Sequence, residues 1–147
     1  MKRLSTILAL AFTTAILFIA CSKDEDTNTP GFTQTYQAEL RGVHAIPTNS
    51  SSATGIFNAT YNSETGILTY SLTYTNMTPT SWAIHVGAAG TAGPVVFPLG
   101  TITPSPKTGS VTLTAAQFSN LSTGLLYVNI TSLGFPEGEI RGQIIKI

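Results

Sequence analysis

Residues 67–74 read ILTYSLTY, and their alternation decides the fold. Leu68, Tyr70, Leu72 and Tyr74 fall on one side, and Thr69, Ser71 and Thr73 on the other. Successive side chains of an extended strand point to opposite faces, so a period of two describes a half-buried strand. Upstream, Ile56 to Tyr61 is joined to this run by the turn residues Asn62-Ser63-Glu64-Thr65-Gly66, which predicts a hairpin. Further strands are expected at Thr35 to Arg41, Trp82 to Val86, Val95 to Leu99, Ser110 to Leu113, Leu125 to Thr131 and Glu139 to Ile147. The last reads as an edge strand, with Ile144, Ile145 and Ile147 able to pair with another chain. The one helical turn expected is Thr114 to Phe118, with Thr114 as its cap. Many short strands between Gly, Pro and Asn turns mean an all-β sandwich or barrel.

The N-terminal segment is of another kind. Lys2 and Arg3 precede an uncharged, apolar run from Leu4 to Ala20, the pattern of a secretory signal. Cys21, the chain's single cysteine, follows a small residue at the end of that run. This resembles the signal of bacterial lipoproteins, in which that cysteine is lipidated and becomes the first residue. Residues 1–20 are therefore expected to be a signal peptide, with membrane attachment through lipid on Cys21. The polar stretch from Ser22 to Gly31, with Asp24-Glu25-Asp26, cannot bury enough apolar surface to fold. Residues 21–34 read as the lipidated cysteine and a flexible acidic linker, and 35–147 as the folded domain. The acidic cluster resembles the export signal of surface lipoproteins in Bacteroidetes-type bacteria; a plain solvated linker is the alternative reading. The expected location is the cell envelope, anchored to the outer membrane.

Within the domain the charges are few and balanced: Glu39, Arg41, Glu64, Lys107, Glu137, Glu139, Arg141 and Lys146. No basic stripe exists, so nucleic acid is excluded as a partner. Gly87-Ala88-Ala89-Gly90-Thr91-Ala92-Gly93 lacks the Lys-Ser/Thr ending of a phosphate loop and reads instead as a connection between sheets. No GxSxG motif appears and no nucleophile is nominated. Glu139 and Arg141, two apart on a strand, are expected to form an ion pair on one face. An adjacent arginine would lower a carboxyl pKa, against the raised value that a glycosidase acid needs.

Three stretches together resemble a known family. Leu40-Arg41-Gly42 with Ile46-Pro47 and Ala53-Thr54-Gly55 is similar to the opening of the CHRD domain, the module named after chordin. Trp82 to Val96 resembles its middle motif. Tyr127-Val128-Asn129-Ile130, followed by Pro136-Glu137-Gly138-Glu139-Ile140-Arg141-Gly142-Gln143-Ile144, resembles its close. The resemblance covers about residues 36 to 147. It implies an immunoglobulin-like two-sheet β-sandwich and, for the most part, no catalysis; a fold by itself does not give function.

The family's usual pattern also implies three histidines, at the positions held here by Ala83, His85 and Thr131. Three imidazoles on one sheet face can hold a metal ion, but one cannot, so no metal or cofactor is expected. His85 is expected to be a partly buried imidazole bonded to Asn129 or Thr131 on the adjacent strand, with Trp82, Ile84 and Val86 in the core. Candidate ligand-binding residues are His85, Asn129, Glu139 and Arg141, and no catalytic residue is named. Tyr36, Tyr61, Tyr74, Phe97 and Phe135 would mark a binding surface if exposed together, though packing is the expected role of each. The expected function is a non-catalytic lipoprotein binding or scaffolding an extracellular protein or glycan. The alternative is an envelope metal or redox protein using His85 with His44 or Glu139.

Overall fold

The computed structural model describes residues 30–101 and 104–147. Nine strands form one antiparallel sheet: β1 (Thr33–Arg41), β2 (Thr54–Asn62), β3 (Ile67–Thr75), β4 (Pro79–Val86), β5 (Val95–Pro98), β6 (Lys107–Thr112), β7 (Leu126–Ser132), β8 (Phe135–Gln143) and β9 (Ile145–Lys146). The order is β5-β4-β7-β8-β1-β2-β3-β6, with β9 added beside β1. The sheet curls on itself and nearly closes into a barrel, and among the described residues its end strands β5 and β6 share no ladder. The chain is thus all-β, and its two layers are halves of one sheet rather than separate sheets.

The segment 67–74 behaves as its alternation predicts. Leu68, Tyr70 and Leu72 are buried while Thr69 and Thr73 are exposed. β2 and β3 pair along their whole length, from Asn62↔Ile67 to Thr54↔Thr75. The turn is built by Asn62, whose Oδ1 accepts the N–H groups of Glu64 (2.8 Å) and Thr65 (3.2 Å). Gly66 then takes a left-handed φ of 68°, which a side chain would oppose.

The core lies between the two halves. Trp82 and Ile84 from β4, Val128 and Ile130 from β7, and Ile140 from β8 pack against Leu40, Phe57, Tyr70 and Leu72 from β1, β2 and β3. Tyr36 and Tyr61 are also core residues, while Tyr74, Phe97 and Phe135 are partly buried, so the five aromatics do not form an exposed ring.

Against the core packs α1 (Ala115–Ser122), longer than the single turn expected, with Leu121 buried in it. Thr114 caps it in a full capping box: its Oγ1 accepts the Gln117 N–H while the Gln117 side chain accepts the Thr114 N–H. Phe118 stacks on Tyr61 with centroids 4.4 Å apart, and Phe32 packs on both rings. Phe32 is thus packed against the domain, immediately before β1 begins at Thr33. Thr114→Ala removes one arm of the box and is expected to cost about 1 kcal/mol, read as an unchanged slope and a lower midpoint in urea unfolding.

The C-terminal strand departs from expectation. The segment from Glu139 is not an edge: β8 lies between β7 and β1, and after Ile144 the chain re-forms as β9 against β1 at Tyr36↔Lys146 and Gln37↔Ile145. Ile144 is buried, and its N–H is taken by Leu126 O (2.9 Å). Period-two reasoning finds a strand but does not say what lies on either side of it.

Candidate functional site

The polar residues singled out from the sequence gather around the outer face of β4, β7 and β8. The register sets His85 opposite Tyr127, Tyr127 opposite Gln143, and Asn129 opposite Arg141. All are on the side away from Ile84, Val128 and Ile140, because side chains alternate along each strand. The His85 and Tyr127 rings stack, with centroids 4.9 Å apart and 14° between planes. On the diagonal, the Arg141 guanidinium carbon lies 3.5 Å from the Tyr127 ring centroid. Imidazole, phenol and guanidinium thus share one stack, the last contact a cation–π pair.

The loop between β4 and β5 is tied down over this stack. Its two flanking strands are neighbours in the sheet, so it closes a hairpin and does not cross between layers as expected. Arg141 Nη2 donates to Ala88 O (3.1 Å), and Gln143 Nε2 donates to Gly87 O (2.9 Å). Tyr127 Oη accepts the Gly93 N–H (2.9 Å) and donates to Gly93 O (3.3 Å). His85 Nδ1 lies 3.0 Å from the same carbonyl. A carbonyl can only accept, so Nδ1 carries the proton in this contact. Gly93 is required here, since a Cβ would collide with Val86 O.

His85 is therefore a loop anchor, and neither Asn129 nor Thr131 is its partner. Asn129 Nδ2 donates to Glu137 O (2.9 Å), and Thr131 Oγ1 bonds the Ser81 hydroxyl (2.9 Å) further along β4. The expected Glu139–Arg141 ion pair is also replaced. Glu139, 7% exposed, accepts from Ser51 Oγ (2.7 Å), while Arg141 turns to Tyr127 and Ala88. Arg41 on neighbouring β1 pairs with Glu39. Sharing a face does not make a pair when each group has a closer partner from outside the strand.

Two cavities flank Arg141. The smaller, about 140 Å³, is lined by His85, Gly93, Tyr127, Asn129, Glu137 and Arg141 among others. The larger, about 660 Å³, has Val43, His44, Ile46, Ala89, Arg141 and Ile145 in its wall. His44 and His85 thus face different cavities, and Glu139 lines neither. Among the described residues no group of three or more His, Cys, Asp or Glu gathers as a metal site would require. Arg141 is only 3% exposed, and burial lowers its pKa from the usual arginine range, with Tyr127 acting in the opposite direction.

The sequence did not single out Tyr127 as a member of this stack. Its position two residues before Asn129 puts it on the same outward face, but its place beneath Arg141 follows only from the β7–β8 register.

A family model for the CHRD domain matches residues 36–144. The chain belongs to the CHRD domain family. Neither the curated proteins nor the solved structures compared with it give a match. The CHRD domain takes in β2 through β8 whole, with the His85–Tyr127–Arg141 stack and the tied loop. Cys21 and the signal and acidic segments lie outside both the CHRD domain and the described residues.

Proposed function

We propose that this CHRD domain is carried by a membrane-anchored lipoprotein of the cell envelope and works by binding or scaffolding an extracellular protein or glycan, not by catalysis. The observation that carries the reading is how the reactive side chains are spent. His85 holds Gly93, Asn129 holds Glu137 O, and Glu139 holds Ser51, so each fixes the chain rather than facing a partner suited to proton transfer. What stays open beside them is a cavity of ligand-binding size.

The anchor rests on the basic start, the apolar run from Leu4 to Ala20, and Cys21. Each buried methylene adds about 0.8 kcal/mol of membrane affinity, so several acyl chains hold a protein without a spanning helix. Cys21→Ser is expected to abolish incorporation of a clickable palmitate and to move the chain out of the lipid-modified membrane fraction. Equal labelling of both proteins would remove the anchor. Protease shaving of intact cells then separates a surface from a periplasmic position.

A further inference from the structure

We propose that the larger cavity binds an amphipathic monocarboxylate, its carboxylate received by the Arg141 guanidinium and its apolar body by the cavity wall. This rests on the reading of the CHRD domain as a binding module and names a ligand class for it.

The charge at this point is uncompensated. Arg141 is almost wholly buried, yet no carboxylate among the described residues pairs with it. Of its five N–H donors, the one side-chain hydrogen bond goes from Nη2 to Ala88 O. Its remaining donors are not sealed in, because the one fully buried side-chain polar atom without a partner among the described residues is Trp82 Nε1. Arg141 lines both cavities, and Ala89 and Gly90, next to its Ala88 anchor, wall the larger one. A buried cation without an opposite charge is costly, and a bound anion would relieve that cost.

The rest of the wall specifies the body. Val43, Ile46, Ala89 and Ile145 present apolar surface, and Val43 and Ile145 remain 63% and 55% exposed. Glu39 and His44 are the other titratable groups lining the cavity, and Glu39 is held by Arg41. Among the described residues no second Lys or Arg lines the cavity, so the site suits one planar negative group gripped by a guanidinium fork. That favours a monocarboxylate over a phosphate dianion. A volume near 660 Å³ lies within the range of small-molecule sites, roughly 300–1,000 Å³.

The test is calorimetric titration of the full chain in lipid nanodiscs with 4-butylbenzoate, heats from empty discs being subtracted. One saturable site is expected. The neutral 4-butylbenzyl alcohol should bind at least tenfold more weakly, and inorganic phosphate should not compete. Arg141→Met should weaken the carboxylate at least tenfold. Because that change also touches the stack on Tyr127, a second variant is needed: Ala89→Trp, on the exposed loop, fills the cavity without removing the charge and should abolish binding. Equal affinity for acid and alcohol, full binding in Ala89→Trp, effective competition by phosphate, or no saturable site would overturn the assignment. Chemical turnover of the probe, visible as a new NMR signal, would instead overturn the reading of the domain as a binding module.

Discussion

Trp82→Ala is expected to lower the unfolding free energy by about 4 kcal/mol, at the upper end for a single core truncation. Trp82 is 2% exposed on β4 and meets Tyr70 of β3 edge-on, with centroids 5.4 Å apart at 83°. Tyr70 in turn stacks on Phe57 of β2 at 5.6 Å. These three rings bridge the halves of the curled sheet where no ladder joins β4 to β3, so their contact replaces hydrogen bonding as the link. Removing the indole leaves a cavity that rigid strands on both sides cannot close. Trp82→Phe should be far milder, about 1 kcal/mol: it keeps a ring and discards the buried Nε1–H that has no acceptor among the described residues, a group whose desolvation already costs the folded state. Urea unfolding followed by far-ultraviolet circular dichroism measures both. An alanine variant within 1 kcal/mol of the parent would show that the halves do not lean on each other through this ring.

Gly142→Ala should cost about 3 kcal/mol, although it adds one methyl group to a strand. A Cβ there would stand 2.5 Å from Glu39 O, 2.8 Å from the Glu39 carbonyl carbon and 3.2 Å from Leu40 Cγ. The obstacle is backbone, which has no rotamer to yield. It belongs to β1, and β1 meets β8 in a single ladder pair, Arg41↔Arg141, beside this glycine. Opening that seam would part the two halves of the sheet and shift Arg141 with it. Gly134→Ala is the matched control: nothing lies within 4 Å of its added Cβ, so it should be neutral or slightly stabilising by restricting the unfolded chain. Thermal unfolding of the three proteins side by side decides the point; equal midpoints for parent and Gly142→Ala would mean that the seam is loose enough to absorb a methyl.

Much of the fold was legible before any coordinates. The hairpin at 62–66 was written in Asn62 and Gly66, whose local chemistry builds the same turn wherever it stands. The helix start at Thr114 was readable because an N-cap depends on residues three apart. Buried Trp82 and Ile84 followed from alternation. The site was legible only in its cast. His85, Asn129, Glu139 and Arg141 do lie on or beside one outward face, but each partner differs from the one expected: Gly93 for His85, Ser51 for Glu139, Tyr127 and Ala88 for Arg141.

The physical reason separates what the sequence alone determined from what the tertiary structure decided. Strand period, turn chemistry, capping and membership of the CHRD family rest on neighbours a few residues apart or on motifs in order along the chain, and these were present in the letters. The partner of an outward-facing side chain rests on which strand lies alongside, in what register, and on where a loop folds back. The β8 strand could have been an edge; pairing with both β7 and β1 buried Arg141 instead. The loop at 87–93 could have crossed between layers; closing a hairpin brought Ala88 and Gly93 onto the guanidinium, imidazole and phenol. Long-range pairing settled those choices, and with them whether a charge two residues from a carboxylate would be neutralised within the strand or left facing a cavity.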